Sequence, residues 1–232
     1  MNFSNYINFV EQNHALISLL TGIQSINEAL QKQYTDSILE LPAFKAWLAS
    51  HGILQEPQAS AAGGVGIAYF VQNYVIKFTS DPKEAKAAKL LINYESPYTA
   101  KIYDVQLAAC VCDSEVRTCP VNVEGCKKIY AIIEDKLDTG IAKKHRIAGQ
   151  AVYDYLDKKD AFVVDVESAI QVTIKTCLPK KFENDPDIRR IIGQIFHALK
   201  TIQDERGVLS QDPHGGNIAL KNRHPAFFDF GR

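Results

Sequence analysis

The order of apolar and polar residues divides the chain into three stretches, and the first has a helical pattern. Within "NYINFVEQNHALISLLTGI" the apolar residues recur at the spacing of one face of an α-helix. "LPAFKAWLASHGI" predicts another helix, because Pro42 is favoured at a helix start and Gly52 just after its end. The segment "QEPQASAAGG" then breaks the pattern, and we expect a linker there. Residues 1–57 are therefore predicted to form a helical N-terminal extension.

The second stretch, 58–138, predicts a small antiparallel sheet that carries one helix. "GGVGIAYFVQNYVIKF" contains a glycine-rich turn, an apolar run, a polar turn and a second apolar run, which is typical of two strands in a hairpin. "SDPKEAKAAKLLINY" predicts the helix, with Ser80 or Asp81 as N-cap and Pro82 at the first helical position. "AKIYDVQLAACV" and "KKIYAIIEDKL" predict two further strands, one on each side of a cysteine-rich loop.

The third stretch, 139–232, returns to helical spacing. "DPDIRRIIGQIFHALKTIQDERG" predicts a helix that ends at Gly207. Its apolar face is formed by Ile188, Ile191, Ile192, Ile195, Leu199 and Ile202. Helices, then a sheet with one helix, then helices again predict an α+β fold with two lobes. The predicted domains are thus the extension at 1–57, a sheet lobe at 58–138 and a helical lobe at 139–232.

Composition and charge exclude several classes of protein. With 232 residues, 46% of them apolar, the chain can bury a substantial core. Its formal net charge of −1 gives no general attraction to nucleic acid or to an anionic membrane. It contains no run of 18 apolar residues, and "MNFSNYINFVEQNH" lacks the pattern of a signal peptide. We expect a cytoplasmic protein without a membrane span, although a bacterial protein delivered into a host cell would look the same.

Four of the five cysteines lie close together, with the spacing C-x-C-x6-C-x6-C: Cys110, Cys112, Cys119 and Cys126. Structural zinc sites favour cysteine pairs separated by two residues, so this spacing fits zinc poorly. Disulfides across a hairpin are an alternative in an oxidising compartment. We favour reduced thiols on a loop, and we expect the isolated Cys177 to be packed.

The C-terminal stretch "LSQDPHGGNIALKNRHPAFFDFGR" carries the residue types that phosphoryl transfer needs. That reaction requires Mg²⁺ against the nucleotide phosphates and a carboxylate beside the attacking hydroxyl. Magnesium prefers oxygen ligands and takes few of them from the protein. Asp212, Asn217 and Asp229 supply such oxygens, and a short hairpin of "NIAL" with "AFFDF" would bring them together.

In this context the stretch from "IIGQIFHALKTIQDERG" through "VLSQDPHGGNIAL" to "FFDFGR" resembles the helix, catalytic loop and magnesium loop of the protein kinase-like superfamily. The resemblance implies that Asp212 is the catalytic base and that Asn217 and Asp229 bind Mg²⁺. "DPHGGN" is also similar to the loop of aminoglycoside phosphotransferases and choline kinases, and to "DPHPGN" in the atypical kinases linked to ubiquinone synthesis. His214 stands where protein kinases have a phosphate-contacting lysine and phosphotransferases a histidine.

The resemblance extends to a glycine-rich loop in the N-terminal half. "GGVG" at 63–66 is similar to the loop that covers the phosphates of ATP, with Gly64 and Gly66 as candidate binding residues. Glycine suits such a loop because the backbone amides can approach phosphate when no side chain intervenes. The match is partial, since the third glycine of the family pattern would fall at Tyr69.

"VIKF" completes the phosphate-binding part of the pattern. It places Lys77 at a strand end, like the kinase lysine that holds the α- and β-phosphates. Glu84, in the following helix, is the expected ion-pair partner of Lys77. Glu95, near the end of that helix, is the alternative.

"YAIIEDKLDTG" resembles the strand and hinge that receive adenine. On this interpretation Ile133 is the gatekeeper, and backbone groups of Glu134, Asp135, Lys136 and Leu137 face the base. The side chains of Glu134 and Asp135 then need no role. The resemblance covers about residues 58–232.

Two departures from the family pattern are informative. Most protein kinases have His-Arg-Asp where this chain has Ser210, Gln211 and Asp212, so the arginine that pairs with a phosphorylated activation loop is absent. The sequence also ends at Arg232, and we expect a truncated C-lobe without an activation loop. This layout resembles the minimal effector kinases that pathogenic bacteria inject into host cells.

The resemblance therefore implies an ATP- and Mg²⁺-dependent kinase acting on Ser or Thr hydroxyls of a protein, with a host protein as one candidate substrate. The alternatives are a small-molecule phosphotransferase, an AMP-transferase, and a pseudokinase that only binds a partner. A partner protein that completes the C-lobe and activates the kinase is a further hypothesis.

Overall fold

The computed structural model describes residues 32–62, 66–112, 115–117, 125–159, 163–208, 213–214 and 216–228. Two helices come first: α1, described over 32–39, and α2 at Pro42–Ser50. The next elements are β1 Gln58–Ala62, β2 Gly66–Val71, β3 Tyr74–Thr79, α3 Pro82–Leu90, β4 Ile102–Cys112, β5 Glu115–Arg117 and β6 Lys127–Asp135. The last are α4 Lys143–Lys159, α5 Val166–Thr176, a 3₁₀ turn at Lys180–Phe182, α6 Pro186–Arg206, β7 Ile218–Lys221 and β8 His224–Phe227. The predicted helix around residues 7–19 lies outside the described residues.

Six strands form one antiparallel sheet in the order β1-β2-β3-β6-β4-β5, while β7 and β8 form a separate hairpin. The sheet and helices confirm the predicted α+β architecture and are consistent with the bilobal kinase-like fold that the resemblance implied. Residues 58–62 correct the prediction, because they form β1 instead of a linker. Small and polar residues such as "QASAA" have weak strand propensity, and β1 is defined by its pairing with β2, where Gln58 lies opposite Phe70.

The helix boundaries follow the predicted caps. The Asp81 side chain accepts a hydrogen bond from the Lys83 N–H (2.8 Å), and α3 begins at Pro82. Asp185 caps α6 in the same way, and Gly207 ends that helix with φ of 65°. All six apolar residues predicted to lie on one face of α6 are buried. No helix in the described part of the chain has the length and apolar character needed to cross a membrane.

Both faces of the six-stranded sheet are covered by helices. On the inner face, α3 and the helices α4 to α6 share a hydrophobic core with β4 and β6. On the outer face, α1 and α2 contribute a second core with residues from β2, β3 and β6. The helical residues of this outer core are Ile38, Phe44 and Leu48, joined by Ile53 from the segment after α2. The described part of the N-terminal extension is therefore one layer of a three-layer structure.

Side-chain hydrogen bonds of Asp104, on β4, connect α2 to the sheet. Its Oδ2 atom accepts hydrogen bonds from Trp47 Nε1 (2.8 Å) and His51 Nε2 (3.0 Å), and the two rings contact each other edge to face. The hydroxyl of Tyr69 on β2 donates to Asp36 on α1 (2.6 Å). Polar contacts with both helices thus supplement the apolar packing on the outer face.

The cysteine-rich loop corrects a second prediction. Cys112 and Cys126 are joined in a disulfide and Cys110 is also disulfide-bonded, so the expectation of reduced thiols is wrong. The register of β4 and β6 explains the pairing, because Val111 lies opposite Lys127. Cys112 comes directly after Val111 and Cys126 directly before Lys127, so the two cysteines also lie opposite each other, with Cα atoms 4.7 Å apart. Cys177 has a free thiol and is half-buried.

Removing the Cys112–Cys126 disulfide should lower the free energy of unfolding by about 3 kcal/mol, because its closed loop of roughly 15 residues restricts the unfolded chain. We expect the double variant Cys112→Ser/Cys126→Ser to show this loss in urea unfolding followed by tryptophan fluorescence. Cys177→Ser is the matched control and should leave the midpoint close to that of the unaltered protein. Equal midpoints for all three proteins would contradict the expectation.

Asp104 should make stability depend on acid pH. Partial burial raises the pKa of its carboxyl, but hydrogen bonds from Trp47, Val105 and His51 outweigh burial and hold that pKa below its ordinary value of 3.8. A lowered pKa in the folded protein gives stability that is present above the ordinary value and is lost as pH falls through the folded value. Urea midpoints measured from pH 7 to about 2 should therefore fall less steeply for Asp104→Asn than for the unaltered protein. The exposed Asp157→Asn should keep the original slope.

Candidate active site

The alternation of side chains along β3 directs Lys77 to the inner face of the sheet. Ile76 and Phe78 belong to the outer hydrophobic core. Successive residues of a strand point to opposite faces, so Lys77 lies on the side where α3 packs. The short connection between β3 and α3 places Glu84 in the first turn of α3, where the helix dipole favours a negative charge.

Lys77 and Glu84 form an ion pair on this inner face. Only 15% of the Lys77 side chain and 5% of the Glu84 side chain are exposed. Glu95, the alternative partner, instead pairs with Lys101 at 2.7 Å, and 77% of its side chain is exposed. The structure therefore forms the ion pair expected from the sequence, while the part that the two residues play in catalysis remains a prediction.

The β7–β8 hairpin accounts for the spacing between Asn217 and Asp229. Ile218, the first residue of β7, lies opposite Phe227, the last residue of β8. Asn217 therefore precedes the hairpin at the same end where the chain leaves β8, two residues before Asp229. The predicted hairpin is present, and Asn217 lies next to the end of it at which Ile218 pairs with Phe227.

Backbone hydrogen bonds attach this hairpin to the sheet lobe. The N–H of Phe227 donates to the carbonyl of Tyr98 (2.9 Å), and the N–H of Ala100 donates to the carbonyl of Phe227 (3.0 Å). On the other strand, the N–H of Leu220 donates to the carbonyl of Asp138 (3.1 Å). The hairpin is thus tied to the segment before β4 and to the connection after β6.

The loop before β7 contains His214 and Asn217. The backbone N–H of Asn217 donates to the carbonyl of His214 (2.9 Å), and the N–H of Gly216 donates to the imidazole Nδ1 of His214 (2.9 Å). The ring of Tyr153, on α4, meets the imidazole edge to face, with 6.1 Å between ring centroids. His214 therefore occupies a defined position between α4 and the start of the hairpin.

Part of the predicted site lies outside the described residues. These are Asp212, Asp229 and Gly64, while Gly66 is the first residue of β2 and lies opposite Thr79 on β3. Within the described ranges, no group of three or more His, Cys, Asp and Glu side chains is arranged to hold a metal. The chemistry of the predicted magnesium ligands, one amide and one carboxylate oxygen, suits this cation, and binding by Asn217 and Asp229 stays a prediction.

Backbone and side-chain contacts of residues 134–136 bear on the hinge prediction, which stays a prediction. The N–H of Asp135 donates to the carbonyl of Lys101 (2.9 Å) and that of Lys136 to the carbonyl of Asn73 (2.9 Å), so neither N–H is available to adenine. Strand β6 ends at Asp135, two residues before the end of the predicted strand. The side chain of Glu134 is buried, and that of Asp135 accepts a hydrogen bond from Tyr103 (2.7 Å), so Asp135 contributes a contact within the sheet lobe.

Tyr103, Lys221 and Tyr153 are residues near the site that the sequence did not identify. Burial and the hydrogen bond to Asp135 raise the pKa of Tyr103 to about 12, so its hydroxyl remains a donor at neutral pH. Lys221 Nζ lies 3.9 Å from the Asp135 carboxylate and donates to the carbonyl of Thr99 (3.0 Å). These contacts join residues distant in sequence, and no local motif indicates them.

Comparisons with known proteins gave structural similarities but no match by sequence. No model of a protein family matches the sequence. No curated protein matches it either. The structure is similar to the kinase domain of PknI from Mycobacterium tuberculosis, with a TM-score of 0.34 and 16% identity, over 75% of this chain and 57% of that domain. It is also similar to APH(2″)-IIa in a ternary complex with streptomycin and ATP, with a TM-score of 0.32 and 12% identity, over 83% of this chain and 70% of that enzyme.

The chain therefore spans little more than half the length of the PknI kinase domain. The strand order, the helix after β3 and the Lys77–Glu84 ion pair are the observations that make the architecture consistent with a kinase-like fold.

Glu84→Ala should lower the free energy of unfolding by about 3–5 kcal/mol, because it removes the Glu84 carboxylate from the ion pair with the largely buried Lys77 ammonium. The double variant Lys77→Met/Glu84→Leu removes both charges and should unfold close to the original urea midpoint. Glu95→Ala, which breaks an exposed ion pair, is the control and should leave the midpoint unchanged. A Glu84→Ala protein as stable as the Glu95→Ala protein would contradict the buried ion pair.

Proposed function

We propose that the protein is an ATP- and Mg²⁺-dependent phosphotransferase that moves the γ-phosphate of ATP to Ser or Thr hydroxyls of a protein. The buried Lys77–Glu84 ion pair carries this proposal. Burying two charges adds little net stability, and apolar residues of similar size would often serve the fold equally well. A fixed ammonium on the inner face of the sheet is better explained by an anionic ligand, and polyphosphate is the ligand that this position would receive in a kinase-like fold.

The remaining contacts to ATP would come from both ends of the sheet lobe. Gly64 and Gly66 would let backbone N–H groups approach the phosphates. Lys136 and the residues before it have their N–H groups engaged in the sheet, so we assign the N–H donor for adenine to Leu137, the next residue along the connection. Carbonyl groups of Glu134 to Lys136 remain candidates for accepting from the adenine amino group.

In the proposed reaction, Asp212 would orient the acceptor hydroxyl and take its proton as the hydroxyl oxygen bonds to the γ-phosphorus. The bond between the γ-phosphorus and the oxygen bridging to the β-phosphate breaks, and ADP leaves. Asn217 and Asp229 would hold Mg²⁺, which neutralises charge on the phosphates when bound. Lys77, held in place by Glu84, would bind the α- and β-phosphates.

A small molecule is the second candidate acceptor. The "DPHGGN" loop favours it, because His214 occupies the position of the histidine in the similar loop of aminoglycoside phosphotransferases. Transfer of AMP to a protein is a further alternative for the same nucleotide site, and a pseudokinase would bind a partner without transfer. The mass of the product separates these functions, since phosphate and AMP add different masses and label different molecules.

We also propose that the protein is delivered out of the producing cell and acts on a host-cell protein. Paired cysteines are more consistent with passage through an oxidising environment than with permanent residence in a reducing cytosol. Disulfides form in oxidising environments, and Cys112 is paired with Cys126. A partner protein that activates the kinase remains part of this proposal. Activity that rises when host lysate is added would support such a partner, and equal activity with and without lysate would count against it.

Asp229→Asn and Lys77→Ala should each lower phosphate transfer by at least roughly 10²–10³, since each removes a group that stabilises charge at the phosphates. The measurement is incorporation of ³²P from γ-labelled ATP in cell lysate, followed by mass spectrometry of the labelled species. Asp204→Asn, which changes an exposed carboxylate on α6, is the matched control and should retain full activity. Full activity of Asp229→Asn would refute the site assignment, and label on a metabolite would replace the protein acceptor by a small molecule.

A further inference from the structure

The first turns of α4 and α6 meet at one corner of the helical lobe. Lys144 Nζ on α4 lies 2.8 Å from the carboxylate of Asp187 and 3.1 Å from that of Asp185, the residue that caps α6. The 3₁₀ turn at Lys180–Phe182 joins this corner, because the N–H of Asp185 donates to the carbonyl of Phe182 (3.0 Å). Three short basic runs that are separate in the sequence therefore become neighbours.

Together these runs form an exposed surface that we name the basic corner. Its seven cations are all exposed: Lys143, Lys144 and Arg146 on α4, Lys180 and Lys181 on the 3₁₀ turn, and Arg189 and Arg190 on α6. Residues 143–146 and 180–190 contain these seven cations and three acidic residues, which gives a net charge of +4. The whole chain has a formal charge of −1, so the rest of it carries −5. Charge separated in this way attracts partners of opposite sign although the total charge is close to zero.

The acidic residues of the basic corner neutralise only part of its charge. Asp185 and Asp187 both pair with Lys144. The other six cations have no ion-pair partner in the part of the chain that the structure describes, although Arg190 donates to the side-chain oxygen of Gln194 (3.2 Å). The basic corner therefore presents to solvent a positive charge that the fold itself does not use.

The cations of α4 stand at the end of the helix where they destabilise it. Lys143, Lys144 and Arg146 occupy its first turn, which contains no acidic residue. The partial positive charge at a helix N-terminus favours acidic residues there and disfavours basic ones. Helix α6 shows the favourable arrangement, with Asp185 as cap and Asp187 in the first turn. Residues that break a local rule are expected at functional sites, so a binding role explains the cations of α4 better than the fold does.

His145 lies among these cations, between Lys144 and Arg146 in the sequence and close to Arg190 on α6. Its Nδ1 atom is buried and has no hydrogen-bond partner among the described residues. Burial and the Arg190 guanidinium lower the pKa of the imidazole below its ordinary value of 6.5. The effect of Arg190 is what a positive local potential produces, and an anionic partner would oppose it.

The composition of the basic corner favours an acidic protein segment over a membrane or a nucleic acid. Glu183, Asp185 and Asp187 lie among the cations, where they would repel a uniformly anionic bilayer or phosphate backbone. Residues 143–146 and 180–190, all of which the structure describes, include no exposed large apolar side chain. Surface binding to a bilayer depends on such apolar side chains in addition to charge. Separate carboxylates on a protein chain can instead reach individual cations.

We propose that the basic corner binds an acidic segment of a partner protein. Charge complementarity supplies the attraction, and carboxylates of the partner would lie near the unpaired cations of α4 and α6. This inference does not rest on the proposed function, because such binding needs neither a nucleotide nor phosphate transfer.

Fluorescence anisotropy of a labelled oligo-glutamate peptide, titrated with the full chain, tests the proposal. We expect saturable binding that weakens as NaCl is raised, because salt screens exposed charges. The triple variant Lys143→Glu/Arg146→Glu/Arg190→Glu should raise Kd at least about tenfold, since it replaces attraction by repulsion. Absence of binding by the unaltered protein would overturn the inference.

The triple variant Lys83→Glu/Lys86→Glu/Lys89→Glu is the matched control. It reverses three exposed lysines of α3 and changes the net charge by the same amount, so it should keep a Kd close to the original. Equal losses in the two triple variants would show that only net charge matters, which contradicts a defined surface. Tighter binding of phosphatidylserine vesicles or of a single-stranded DNA oligonucleotide than of oligo-glutamate would refute the acidic protein segment.

Stability separates a binding role of the α4 cations from a structural one. Lys143→Glu/Arg146→Glu places acidic residues in the first turn of α4, so it should raise the urea midpoint of unfolding while it weakens binding. A lower urea midpoint than that of the unaltered protein would assign these cations to the fold and count against the proposal.

The imidazole of His145 reports where the peptide binds. In NMR spectra of the full chain, the ring signals of His145 should move when oligo-glutamate is added, whereas those of His51 on α2 should stay in place. His145→Gln and His51→Gln assign the two sets of signals by their loss. Movement at His51 without movement at His145 would place the binding surface elsewhere and overturn the inference.

Discussion

Strand β3 is buried on both faces, yet it carries a lysine between two apolar residues. Ile76 and Phe78 require a hydrophobic layer on the outer face, whereas Lys77 requires a counter-charge on the inner face. Successive side chains of a strand point to opposite faces, so both requirements are met only if different helices cover the two faces of the sheet. The outer helices α1 and α2 supply the apolar layer, and the first turn of α3 supplies Glu84. Much of the three-layer arrangement follows from this one constraint.

A second constraint is that two distant parts of the sequence pair through their backbones. The β7–β8 hairpin belongs to the last part of the chain, but its backbone pairs with Tyr98, Ala100 and Asp138 near the sheet. Lys221 adds a side-chain contact on the same side by donating to the carbonyl of Thr99. The hairpin that follows Asn217 is therefore held in place relative to the sheet that carries Lys77.

Patterns confined to one element could be predicted from the sequence, and patterns between elements could not. The caps Asp81 and Gly207 and the apolar face of α6 act within a few residues, so their spacing is visible in the sequence. The ion pair of Lys77 with Glu84 could be predicted because the two residues lie on either side of one short connection. Strand β1 was missed because its residues have weak strand propensity, so only pairing with β2 defines it. The same holds for the Tyr103–Asp135 hydrogen bond and the disulfide, which depend on strand register.

The outer layer changes where the folded unit begins. Ile38, Phe44 and Leu48 share a hydrophobic core with Ile67 and Phe78 of the sheet. A chain shortened to begin at residue 58 would keep the predicted kinase-like portion, but it would expose an apolar sheet face to water. Such a face favours self-association, and the shortened protein would be expected to aggregate for reasons unrelated to its chemistry. The helices at 32–50 therefore belong to the same cooperative unit as the sheet they cover.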